Sequence, residues 1–451
     1  MRKSRWVLTL VVLLGIVVGV ADNAGAASNP AQWPMYQSDA SNSGHAWRHS
    51  GPDDAACVIT EEIVSVSWSS PVVVGPDGEI YIAGVGDDGS SHTRRYYIYS
   101  LRVSDTKEIT VSWRRELRTL AEACPATNEF GNVMVLDNAG NVYGFDAAGN
   151  PLWAPRELVI YPGQSKSQAA IRFAEDDPWY AYVYAVNSGH PGVLYKINWA
   201  SGQIIWQTEK LVGSWNTFGP FLLSHAEKPT IWFAGIVDGE RVLASVDPLT
   251  GELLGTIDDR LLDVAWYDML AEASTTRGTA VVLLGNSDRT VAVQAHRNGD
   301  YWIAWDISDV SLSRAAVANS TVYILMHGGI DVASVDLLSG EFGREFRIER
   351  GLSGDTPPIV DGEQRIYFLA NLASKERRRL VCYNAWGALR FDIEIPEGRY
   401  MSWNSESMAM VVPDGFSGGY WNMGNGGLIT SCIIIPLEAG GMAVVFDRTL
   451  W

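Results

Sequence analysis

Seven histidines, His45, His49, His92, His190, His225, His296 and His327, are the side chains best suited to proton transfer or metal ligation near neutral pH. None forms an H-E-x-x-H or H-x-H spacing, in which neighbours on one element share a metal ion. Four cysteines, Cys57, Cys124, Cys382 and Cys432, are spaced too widely for a zinc motif. Outside the cytosol their even number allows disulfides, in three pairings the sequence does not separate; four buried free thiols are the alternative. The acidic pairs Asp87-Asp88 and Asp258-Asp259 read as hairpin turns, because no D-x-[DN]-x-[DN]-G calcium loop occurs. Gly415-Phe-Ser417-Gly-Gly419 has the G-x-S-x-G spacing but lies in a glycine-rich stretch without the strand-to-helix pattern an elbow needs, and no phosphate-binding Gly-Lys-Ser/Thr occurs. No local catalytic set is written in the chain, and convergence of distant residues needs a fold.

One stretch has a composition suited to binding. Between Val412 and Gly427 six glycines surround Phe416, Tyr420 and Trp421, with Asn422 and Asn425 beside them. A flat ring buries apolar area and a side-chain amide supplies hydrogen bonds, which suits a sugar or a peptide. Phe416, Tyr420 and Trp421, with Trp403, are the candidate ligand-binding residues. Packing of the same rings between neighbouring elements is the competing reading.

The elements that must position these residues follow a repeat. Its clearest copy is Ala123–Leu158, where the apolar runs Asn132–Leu136, Val142–Asp146 and Pro151–Ala154 alternate with Asn/Asp/Gly turns, and Cys124–Glu129 supplies a fourth run. Short runs rich in Val, Tyr and Phe, punctuated this way, predict antiparallel strands joined by hairpins. The third turn of each unit gives the period. It reads Asp146 to Gly149, Asn198 to Gly202, Asp247 to Gly251, Asp336 to Gly340 and Asn384 to Gly387, with weaker members at His296–Gly299 and Pro436–Gly440. The opening Asp or Asn can bond its own backbone two residues on, and the glycine takes positive φ. An aromatic follows four residues past the glycine at Trp153, Trp206 and Phe391.

Those glycines lie 41 to 53 residues apart, and Asp105–Trp113 adds an earlier unit. A four-stranded unit of this period predicts an all-β protein, a single β-propeller of eight blades, with seven as the alternative count. Blades are expected near 69–117, 123–158, 167–211, 217–262, 267–310, 313–352, 355–398 and 401–451. The lead-in 27–68 is expected to lend the closing blade its outer strand through Cys57–Trp68, the alternative being that 401–451 supply all four strands of that blade.

Ahead of it, Arg2, Lys3 and Arg5 precede an apolar run from Trp6 to Val20 and then Ala24-Gly-Ala26. That pattern predicts a signal peptide over 1–26 and an exported protein, periplasmic or extracellular, with an uncleaved membrane anchor as the alternative. A formal charge of −18 argues against nucleic acid as a partner. Lys375–Arg379 reads as a solvated hairpin.

The recurring D-G-x-[VI]-Y and [DN]-x-x-(x)-G-x-x-x-W pattern, with the lead-in Trp33-Pro-Met-Tyr-Gln-Ser-Asp39 through Gly44, resembles the pyrroloquinoline-quinone-like propeller repeat family. The resemblance implies an eight-bladed ring in which each turn tryptophan docks on the adjacent blade. Catalytic members are alcohol and sugar dehydrogenases that hold a quinone and calcium in the central channel. Their larger representatives carry adjacent cysteines, and no Cys-Cys pair or haem-attaching Cys-x-x-Cys-His occurs in this sequence. Non-catalytic members include the propeller lipoprotein of outer-membrane protein assembly, which binds partners along loops and strand edges. No cysteine follows the apolar run here for lipid attachment. The resemblance lies closer to the non-catalytic group.

The expected function is therefore an exported, non-catalytic scaffold, monomeric and without a stable membrane span after cleavage, that binds a protein or a saccharide through its loops. No cofactor is expected. The first alternative is a quinone- and calcium-dependent periplasmic alcohol or sugar dehydrogenase. The second is a propeller carbohydrate-active enzyme.

Overall fold

In a computed structural model the described residues lie between His45 and Asp447; besides both ends, the larger stretches left out are 159–170, 259–267, 271–279, 396–407 and 412–428. The described residues form eight antiparallel sheets arranged in a ring, with no helix, an eight-bladed β-propeller. Seven blades are continuous in sequence, spanning 67–117, 126–157, 171–207, 212–258, 268–308, 310–347 and 352–394. The eighth is composite. Its first three strands are Ala409–Val411, Cys432–Pro436 and Met442–Asp447, and its outer strand is Ala55–Ile59 from the lead-in, antiparallel to Met442–Asp447. The inner strand Ala409–Val411 lies beside the inner strand Val73–Val74 of blade 1, which closes the ring.

The burial of each strand follows its place in the blade. Inner and middle strands are covered on both faces by neighbouring blades, so they are apolar without alternation: every residue of Val133–Leu136, Asn141–Phe145, Cys432–Pro436 and Met442–Asp447 is buried. Outer strands such as Gln203–Gln207 and Phe342–Arg347 are largely exposed. The core is a set of apolar layers between blades. One layer joins Val73, Ile98 and Tyr81 of blade 1 to Val133, Val135 and Phe145 of blade 2. Another joins Tyr323 and Ala316 of blade 6 to Phe368 and Val381 of blade 7.

A repeated contact locks blade to blade. The turns after the third strands have glycines at φ between 67° and 79°: Gly149, Gly202, Gly251, Gly340 and Gly387. An aromatic ring from the preceding blade lies flat on each: Trp113 on Gly149, Trp153 on Gly202, Trp206 on Gly251, Trp305 on Gly340 and Phe346 on Gly387. A Cβ at any of these glycines would stand 2.5 to 2.7 Å from ring atoms. Each tryptophan also donates its Nε1–H to a backbone carbonyl of the turn it covers: Ala147 at 2.9 Å, Trp199 at 2.7 Å, Pro248 at 3.2 Å and Leu337 at 2.9 Å. The turns hold their shape by self-capping, as where Asp336 Oδ1 accepts from the Leu338 and Ser339 amides and Asn198 Oδ1 from those of Ala200 and Ser201.

The ring does not repeat this contact throughout. On blade 4 the position four past Gly251 is Gly255, and the turn backbone at Asn298 and Gly299 packs directly where a Cβ would be. An Arg297–Asp247 ion pair at 3.1 Å and a hydrogen bond from Ser245 Oγ to Arg297 O at 2.6 Å replace the missing ring. Another difference is at blade 8, whose turn between third and fourth strands is not one piece of chain. Asp447 ends the third strand and its Oδ2 accepts from the amides of Asp53 and Asp54, 2.9 and 3.4 Å away, at the start of the fourth. The self-capped turn is thus rebuilt from two distant segments. Consequently the Pro436–Gly440 stretch joins the second and third strands of blade 8 and is not a member of the third-turn series.

Candidate functional site

In a four-stranded antiparallel blade the first and third turns emerge at one end and the second turn at the other. The self-capped third turns therefore share one face of the ring with the first turns, and this turn face carries the cleft described next.

The lead-in crosses that face at the junction of blades 7 and 8. His45–Ala46 pairs in parallel with Val360–Asp361 at the inner edge of blade 7, and His49–Ser50 pairs in parallel with Ile429–Thr430 of blade 8. The segment then runs outward to its place as the closing strand. Asp361 and Arg365 in the first turn of blade 7 hold it. Asp361, fully buried, accepts from the Gly51 amide at 3.0 Å, the Tyr367 hydroxyl at 3.0 Å and Arg365 Nε at 2.7 Å. Arg365 donates in turn to Ser50 Oγ at 2.5 Å and pairs with Glu363 at 2.8 Å. A buried ion pair with every lone pair engaged fixes geometry, and removal of either partner strands the other charge. Desolvation, helped by the nearby Cys382 and Asp361, pushes the Tyr367 hydroxyl well above its usual pKa, so it stays a neutral donor.

Between this clasp and the third turn of blade 7 lies a cleft of about 240 Å³, lined by Asp53, Glu363, Arg365, Asn384, Ala385, Trp386 and Arg390. Arg390 forms a two-point ion pair with Asp53, Nε to Oδ1 at 2.6 Å and Nη2 to Oδ2. The Arg390 guanidinium holds the Asp53 carboxyl below the usual carboxylate range. At the mouth stands Trp386, 69% exposed, with the Arg344 guanidinium of blade 6 stacked 4.2 Å from its ring centroid. Asn384 Oδ1 accepts from the Trp386 and Ala388 amides, so the turn that presents the ring is rigid. The cleft thus offers a flat aromatic surface backed by a cation, beside two further guanidinium groups whose charge is already balanced. That set can stack and hydrogen-bond a ligand. It has no nucleophile paired with a base.

The expected ligand residues Phe416, Tyr420, Trp421 and Trp403 lie outside the described residues. The expected turn residues Asp146, Gly149, Asn198, Gly202, Asp247, Gly251, Asp336, Gly340, Asn384 and Gly387 are distributed one turn to a blade, with Trp153 and Trp206 on the glycines of the next blade. Phe391 faces inward and packs with Tyr367, ring centroids 6.2 Å apart. Sequence reasoning missed Trp386, Arg344, Arg390 and Asp53 as a group. A signal for Trp386 existed, since an aromatic at the exposed position of a self-capped turn has no packing role. Asp53 comes from the opposite end of the chain and no local pattern announces it.

All four cysteines are free thiols, which corrects the disulfide alternative. Cys57 is in register with Val445, which pairs with Ile433 beside Cys432; an intervening strand therefore separates the two thiols by about 9–10 Å, twice the strand spacing. Cys124 and Cys382 belong to blades 2 and 7. Burial pushes the Cys57 thiol up to about 11 and raises the other three further.

The inner strands bear on the quinone alternative. Their described side chains are buried; Val73, Val74, Ala126, Ile171, Ala315 and Ala409 are aliphatic, and Thr127, Arg172 and Asp361 are buried polar or charged groups among them. Among the described residues no group of three His, Cys, Asp or Glu side chains is placed to hold a metal ion. Of the carboxylates, arginine and flat aromatic floor that a quinone with calcium needs together, the described inner strands hold Arg172 on blade 3 and Asp361 on blade 7, both fully buried.

No protein-family model matches the chain, and a search of curated proteins finds no match. Solved structures do resemble it. The quinohemoprotein alcohol dehydrogenase of Comamonas testosteroni aligns over 94% of this chain and 81% of its own, with TM-score 0.62 and 10% identity. Sqt1 of Saccharomyces cerevisiae covers 86% of this chain and 98% of its own, with TM-score 0.57 and 13% identity. BamB of Moraxella catarrhalis covers 87% and 97%, with TM-score 0.51 and 14% identity. At these identities the likeness is one of fold. It agrees with the quinoprotein-type propeller resemblance of the repeat. Among the described residues no helix is long and apolar enough to cross a membrane.

Proposed function

We propose that the chain is an exported, monomeric, non-catalytic β-propeller that binds a protein or saccharide partner through its turn face, with the blade 7–8 cleft as a principal contact. The observation that carries this reading is Trp386. An indole 69% exposed, held by a rigid turn and backed by Arg344, adds little to folding and much to recognition. The balanced charges beside it suit a partner that presents paired polar groups rather than a strong net charge. Support for export comes from the N-terminal pattern of charge, apolar run and small residues.

The test is photo-crosslinking in the producing cell. A benzophenone side chain at Ala385, which lines the cleft, should give an adduct with a partner. The same group at Ile205, on an exposed outer strand, should not. Adding Trp386→Ala should abolish the Ala385 adduct. Equal labelling at the two positions would reject the cleft as the contact.

A further inference from the structure

Three turns of blades 2 and 3 bring a second aromatic group to the turn face. Trp199, in the third turn of blade 3, is 7% exposed and lies beneath two rings. Trp179, in the first turn of blade 3, stacks on it with centroids 6.2 Å apart and planes 4° from parallel. Phe130, in the first turn of blade 2, lies against it at 6.0 Å and 31°. The two outer rings are exposed by 56% and 49%.

The group is anchored through backbone bonds of its turns. The Trp199 amide donates to Trp179 O at 3.2 Å, and Trp199 O accepts the Nε1–H of Trp153, whose ring is wedged on Gly202. Asn128 Oδ1 accepts from the Phe130 and Asn132 amides at 3.0 Å, and Gly131 O from the Tyr81 hydroxyl at 3.0 Å. Exposed rings of this size are normally mobile. Here the ordering cost has been met by the fold, so a ligand that covers them loses little further entropy.

We propose that Phe130, Trp179 and Trp199 form a stacking subsite for uncharged saccharides. This rests on the binding reading above and names its ligand class. The pairing of Trp179 argues for a sugar over a protein: it lies parallel to Trp199 and is 56% exposed, which leaves ring area that a pyranose can cover. A protein hot spot takes a ring that projects as a knob into a pocket. Glu129 directly precedes Phe130 and Asp177 lies two residues before Trp179 in the chain, and negative charge in these turns repels anionic ligands. The net charge of −18 opposes nucleobases, which also stack on aromatic rings but arrive with phosphates.

The test is calorimetric titration of the full exported chain with cellohexaose, xylohexaose, maltohexaose and hexa-N-acetylchitohexaose, and with hexagalacturonate as the anionic control. At least one neutral hexasaccharide should bind, with hexagalacturonate about tenfold weaker or undetectable. Trp179→Ala should weaken the neutral ligand about tenfold or more, and Trp179→Phe should restore most of the loss. Trp302→Ala, an exposed indole on the outer strand of blade 5 and in neither site, should change it less than twofold. Unchanged melting temperatures would show that the variants are folded. Absence of neutral binding at millimolar ligand, or full binding by Trp179→Ala, would overturn the subsite. An Ala385 adduct without neutral saccharide binding would leave the binding reading standing and remove this subsite. A protein partner lost on Trp179→Ala, with no saccharide bound, would likewise reject it.

Discussion

Each ring–glycine contact joins two blades through one side chain and one backbone turn. Trp153 is half-buried, packs on Gly202 and closes its own hydrogen bond to Trp199 O. Trp153→Ala should therefore cost about 3 kcal/mol, the lower end for a large aromatic truncation, read by denaturant unfolding. Gly251→Ala adds a methyl 2.7 Å from the Trp206 ring at a φ of 76°. It should cost about 2–4 kcal/mol from overpacking and left-handed strain together; a loss below 1 kcal/mol would show that the ring moves freely. Trp153 and Trp206 were legible four residues past their glycines. Trp305 and Phe346 were not, because they sit six past Gly299 and Gly340. In a strand the two offsets point to the same side, so the ring simply acts one pair further along. Gly255 at the four-past position was invisible as an exception until Asn298 was seen against it.

The seam of the ring depends on the lead-in. Without Ala55–Ile59, the edge of Met442–Asp447 is left open and the Asp361–Arg365 clasp loses Ser50, Gly51 and Pro52. Removal of residues 27–66 should lower the melting temperature by about 5 °C or more and increase self-association; an unchanged melt would mean that the ring closes without this strand. The Asp53–Arg390 pair at the seam adds a pH dependence. Its carboxyl titrates lower folded than unfolded, so its contribution is full above the ordinary carboxylate pKa near 4 and fades as pH falls through the lower folded value. Both side chains are well exposed, which limits the pair to about 1 kcal/mol or less. The melting difference between wild type and Arg390→Met should thus be present at pH 7 and shrink below about pH 4. A difference constant from pH 7 to 3 would assign the effect to packing. That a lead-in strand closes the ring could be expected from the lone Cys57–Trp68 stretch. Which residues do so could not: Ala55–Ile59 fills the outer position, while Ser67–Trp68 pairs with Val85 and Gly84 in blade 1. The register is set by Asp447 capping Asp53 and Asp54, a contact spanning nearly the whole chain.

For the molecule as a whole, architecture and activity are written at different levels. The turn spacing makes the ring readable, because every blade needs the same self-capped turn whatever the protein does. The sites are not periodic. The cleft joins Asp53 to residues more than 300 positions later, and the aromatic platform joins blades 2 and 3 through turns that differ in length. A fold shared with an alcohol dehydrogenase at 10% identity leaves the chemistry to those sites. Their residues offer rings, amides and balanced charges for binding. The most direct measurement is dye-linked turnover by the purified protein after addition of pyrroloquinoline quinone and calcium, across primary alcohols and aldoses. The account predicts no substrate-dependent dye reduction above the quinone blank. Saturable, calcium-dependent reduction with any of these substrates would contradict it.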